Sequence, residues 1–177
     1  MPAGRRLGRD REDQMQSLQL TSEDHHARLL PHVDRLLVLA DMVGHVDCDA
    51  IHALYEEEYA FIVGQLVPHM EAIERTLYGQ VEQVLGGHHS MAPMRSEHAA
   101  MKQLVEELGR YRRHAEGCSW SAVEGLALRR ALYRLHSILK VHLAEEELYL
   151  GVLEQHLDDA EKDHLARGIA HAMTEPL

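Results

Sequence analysis

Cysteine is nearly absent. The two present, Cys48 and Cys118, are far apart and have no C-x-x-C spacing, which excludes a disulfide framework and a zinc ribbon. Basic charge is in short supply as well: 18 Lys and Arg stand against 29 Asp and Glu, a net charge of −11. Without a positive footprint, nucleic acid and anionic membrane are not expected partners. No apolar run approaches the roughly 20 residues that span a bilayer. The start, MPAGRRLGRDREDQ, has arginines but no apolar stretch behind them, so a cytoplasmic protein is expected. Alternating strand patterns are missing, and so are P-loop, dinucleotide and Ser-His-Asp signatures. Against one Phe and one Trp the chain sets 15 histidines. A length of 177 residues suits one domain with a single core.

Helical periodicity runs through most of the chain. Residues 1–19 are charged and aperiodic and read as a disordered N-terminal arm. Thr21-Ser22-Glu23-Asp24 offers N-cap candidates for a first helix carrying Leu29, Leu30, Val33, Leu36, Leu37, Ala40 and Val43, closing near Gly44. Asp47 or Asp49 can cap a second, whose stripe reads Tyr55, Tyr59, Ile62, Leu66, His69, Ile73 and Leu77, to about Leu85. After the GGHHSMAP loop a third helix carries Met94, His98, Met101, Val105 and Leu108. Trp120-Ser121 opens a fourth with Leu128, Leu132, Leu135, Ile138, His142, Glu146, Tyr149 and Leu153 on one face. Short connections predict an all-α fold: an antiparallel up-down four-helix bundle over residues 20–157, with a short extra C-terminal helix and tail in 158–177.

The stretch KVHLAEEELYL, residues 140–150, places acid where a core is expected. On a helix Glu146 lies about 40° round from His142, so it shares the buried face. A buried carboxylate costs several kcal/mol unless paired or bound to a cation, and few Lys or Arg occupy neighbouring inward positions. A metal ion is the economical partner. In an antiparallel hairpin, residues equidistant from the turn lie at one height. By that test His26, His69, His98 and His142 form one layer, one from each helix. His32, about two turns from His26, is an alternative first-helix ligand because Pro31 can shift the register. It pairs in height with His136, so the two are either a second histidine layer or two partly exposed flank histidines. The loop and tail histidines read as solvated.

These residues resemble the haemerythrin-like, or HHE cation-binding, family. The resemblance rests on His26 in EDHHARLLPHV, His69 in LVPHMEAIERTLYG, His98 in RSEHAAMKQL, and His142 with Glu146 in VHLAEEELYL. It implies a non-haem diiron centre, with imidazoles capping two irons and carboxylates bridging them, that binds oxygen, nitric oxide or peroxide. One departure stands out. The fourth residue after the histidine is Glu146 in the fourth helix but Ile73 in the second, so a bridging carboxylate is missing there. Glu74 is one position late and reads most simply as a surface residue; to substitute it needs a bulge, for which Pro68 provides a cause, and Glu145 is the other candidate to compensate.

The expectation is a non-haem iron protein, with one or two ions ligated by His26, His32, His69, His98, His142 and Glu146, and manganese or zinc as alternatives. Ile62, Leu66, Ile73 and Ile138 would wall a dry, diatomic-sized pocket. Any activity would be weak and peroxidase-, catalase- or oxidase-like. Two other readings fit the helices: a metal-free bundle serving as a protein-interaction scaffold, and a specialised diiron oxygenase.

Overall fold

The computed structural model describes residues 18–46, 48–87, 89–115 and 120–174. Every regular element among them is helical. Helix α1 spans Leu18–Met42 and α2 Cys48–Phe61; a π-helical turn at Ile62–Leu66 leads into α3, Val67–Thr76, and α4, Tyr78–Val84. Helix α5 spans Ala92–Ala115, α6 Ala122–His156 and α7 Asp159–Thr174. The arm read in residues 1–17 lies outside the described residues, and Leu18 and Gln19 are already helical. Thr21–Asp24 therefore lie within α1 rather than capping it. Leu18, Gln19 and Leu20 are good helix formers and carry the helix backwards past these local stop signals. Pro31 stays inside α1.

The other ends follow their chemistry. Gly44, Gly86 and Gly87 adopt positive φ at the two described turns, where a Cβ would be strained. Ser121 and Glu124 form a reciprocal capping box ahead of α6, satisfying two otherwise orphaned amides. Asp158 and Glu161 do the same ahead of α7.

Side-chain pairings set the direction of the helices. Along α1 and α6, His26 meets Glu147, Asp34 meets Lys140, and Asp41 meets Tyr133, so these two run oppositely. The second helical stretch and α5 also run oppositely: Tyr55 donates to the Leu108 carbonyl, Lys102 to Glu71, and His98 to Glu74. Between α1 and the second stretch, His32 meets Glu58 while His26 lies edge-on to His69. No helix among the described residues is long and apolar enough to cross a membrane.

Two apolar clusters fill the interior. The larger includes Leu29, Leu36, Tyr55, Leu66, Met70, Met101, Leu139 and Leu143; the smaller includes Ile73, Leu77, Tyr78, Met94, Leu150, Leu165 and Ile169. Along α5 the boundary falls between Met94 and Met101, and along α6 between Leu143 and Leu150. His98 and Glu146 occupy those gaps, so a polar layer divides the core.

Candidate metal centre

Five side chains make this layer: His26, His69, His98, His142 and Glu146, each 2% exposed or less. Each helix brings its member inward by the phase of its apolar stripe. In the second stretch a π turn re-phases the apolar residues that follow it, such as Leu77, against those that precede it. Continuous α-helix would leave Leu77 about 80° round from Ile51. Taking up one extra residue brings the two within about 20°. Pro68 provides the local cause, since it has no amide for the Gly64 carbonyl and its ring crowds that carbonyl. Val67 N–H instead donates to the Ile62 carbonyl, five residues back. His69 follows immediately and faces the interior.

The geometry falls into two halves. In one, His26 Nε2 and His69 Nε2 each lie 3.2 Å from Glu146 Oε2. Their donor atoms and that of Glu146 all lie within 4.8 Å of one another, a grouping able to hold a metal ion. In the other, His98 Nε2 and His142 Nε2 face each other at 2.8 Å. His98 Nδ1 donates to Glu74 at 3.2 Å and His142 Nδ1 to Glu97 at 2.8 Å. With the hydrogens committed there, each neutral ring turns a lone pair toward the other. Two lone pairs at that distance repel until a proton or metal ion shares them. Imidazole and carboxylate donors bind first-row metals at about 2.1 Å, so neighbouring donors on one ion stand about 3 Å apart. Each ring of the first half stands at that spacing from Glu146, and the two rings of the second half stand at it from each other.

Electrostatics points the same way. Burial alone would raise the Glu146 carboxyl, but the charge of His69, hydrogen bonds from His26 and His69, and the charge of His142 outweigh it and hold the group below the usual carboxylate range. Glu146 Oε1 is buried and has no hydrogen-bond partner among the described residues, an exception among buried carboxylates. Burial opposes charging of His26, yet Glu146 and Glu147 raise it above the ordinary histidine value. His98 is lowered to about 4, by burial and then by the charge of His142. It resists a proton.

His32 is not brought to this layer. Its Nδ1 donates to the buried Glu58 at 3.2 Å, its ring stacks on Phe61 with centroids 3.9 Å apart, and Arg35 Nε donates to the same carboxylate at 2.8 Å. His136 lies 3.6 Å from Asp34, so His32 and His136 are partly exposed flank histidines rather than a second layer. Each histidine is held by a carboxylate of its own. Ile73 is buried in the smaller apolar cluster, and Glu145 is half-buried. Glu74 supports His98 rather than replacing the missing bridge.

Sequence reasoning missed the carboxylates behind the rings. Glu147, which lies about 140° round α6 from His142, accepts from His26 Nδ1 at 3.3 Å. Glu97 precedes His98 in the chain yet serves His142 on the next helix. Such partners fix the tautomer and orientation of a ligating imidazole. The signal was present in EEE and SEH, but helical phase alone does not reveal which neighbouring helix a flanking carboxylate reaches.

One family model, the Hemerythrin HHE cation binding domain, matches residues 21–153. The chain belongs to this family. Comparison with curated proteins and with solved structures gives no match. The haemerythrin match covers α1 through most of α6 and contains all five residues of the buried layer.

Proposed function

We propose that this haemerythrin-family protein holds non-haem iron, one or two ions per chain, and through it binds, senses or reacts with oxygen, nitric oxide or peroxide. The antiparallel pairings support an up-down four-helix bundle as its frame. The observation that carries the reading is Glu146, fully buried, ionised, and with one oxygen unpartnered among four inward imidazoles. Mixed nitrogen and carboxylate donors suit iron and manganese.

His26 and His69 would hold an ion together with Glu146, and His98 and His142 would supply nitrogen donors beside it. Glu147, Glu74 and Glu97 keep three of the rings in the tautomer that presents Nε2 inward. Leu66, Met70, Leu139 and Leu143 border the layer and exclude water from it. Iron there would supply reversible one-electron chemistry and an acceptor for small oxygen or nitrogen ligands.

Elemental analysis of untagged protein tests this. One or two irons per chain is the expected result; absence of iron, manganese and zinc from protein refolded with each would overturn it. That outcome would favour a metal-free interaction scaffold, the reading to which Ile73 lends support by filling a carboxylate position with packed hydrocarbon.

A further inference from the structure

Tyr78 is wholly buried at the start of α4, and its phenolic O–H donates to His98 Nε2 over 3.1 Å. Its ring stacks on His98 with centroids 5.5 Å apart, and the Arg95 guanidinium lies 5.2 Å from its centroid. Neighbours therefore hold the ring in place, with its oxygen at the one nitrogen of His98 that Glu74 leaves open.

The two halves of the centre differ in one respect. His26 and His69 share a carboxylate oxygen, whereas among the described residues the grouping of His, Cys, Asp and Glu donors within 4.8 Å of one another includes neither His98 nor His142. Two imidazoles alone are a poor cradle for a hard cation, which calls for oxygen. The oxygen atom within hydrogen-bonding distance of His98 Nε2 belongs to Tyr78. We propose that Tyr78 is the oxygen ligand of the second metal position, completing His98 and His142 where the second helix carries Ile73 instead of a carboxylate. The 2.8 Å and 3.1 Å separations around His98 Nε2 match neighbouring donors on one ion, about 3 Å apart. As the oxygen–metal bond forms, the phenolic hydrogen leaves to water, as ligand protons generally do on metal binding. The inference rests on the iron-binding reading above, and the test separates the two.

Protein loaded with iron(III) is assayed for iron per chain and for the visible charge-transfer absorption and resonance-enhanced ring vibrations of a phenolate bound to iron(III). Wild-type protein is expected to show both signatures at about two irons per chain, the loading of a two-ion bundle site. Tyr78→Phe, which keeps the ring, should lose them and fall to about one. Its helical circular dichroism checks that it folds. The wild-type spectrum decides independently of any variant: iron bound with no phenolate signature overturns the inference and leaves the proposed function standing. Signatures that persist in a folded Tyr78→Phe also overturn it, by assigning them to another tyrosine. Wild type that binds no iron overturns the iron-binding reading and this inference with it.

Discussion

Glu146 stays ionised against its own burial because three histidines face it, and Glu147 and Glu97 stand behind two of those rings, His26 and His142, to present the right nitrogen. Glu97, about a third exposed, can be changed at little cost to packing. Glu97→Gln should weaken metal binding by about 10–100-fold, the usual effect of removing a ligand's supporting partner, as read by competition with a chelator. His98 makes a second prediction. An unfolded histidine takes up its proton near 6.5, whereas folded His98 does so near 4. Between those values the unfolded state holds more protons, so falling pH costs the metal-free protein stability. His26 has the opposite sign, because its raised value contributes stability below 6.5 that is lost as pH rises. The His98 contribution is thus read by difference: the urea midpoint of His98→Gln should fall less than that of wild type as pH drops from 6.5 toward 4. An equal fall in both would contradict the assignment.

In the second helical stretch one widened turn re-phases the residues on either side of it. This π turn absorbs a residue, and Gly64 within it is exposed with open space around its Cβ position. Deleting Gly64 should convert the segment to continuous α-helix without rotating His69 away from the centre. Helical circular dichroism and iron per chain should both be retained; loss of iron with helicity intact would show that the wider turn also shapes the site. At the start of α6 the Ser121 hydroxyl accepts from Glu124 N–H. Ser121→Ala should cost about 1 kcal/mol, measured as a lowered denaturant midpoint with unchanged metal content.

Across the whole molecule the centre divides the apolar interior, and α7 helps to close the smaller cluster. Leu165 and Ile169 are nearly buried there with Ile73, Leu77 and Leu150, and each such side chain contributes about 1.5–3 kcal/mol. Ending the chain at Leu157 should lower the melting temperature and expose apolar surface, detected by dye binding. If the proposed ion is held by several helices it favours the folded state alone, so stripping it with a chelator should lower the melting temperature further. Restoring iron should return it.

Period and spacing by themselves determined the helices, the inward faces of His26, His69, His98, His142 and Glu146, and their shared height, because α-helical rise and turn are constant and short loops force neighbours to run oppositely. Only the tertiary structure decided which carboxylate stands behind which ring, that His32 belongs to Glu58, and that Tyr78 reaches His98 from the next segment of its own helical stretch. Those choices depend on side-chain reach across gaps between helices and on a single widened turn, and neither leaves a periodic trace in the order of residues.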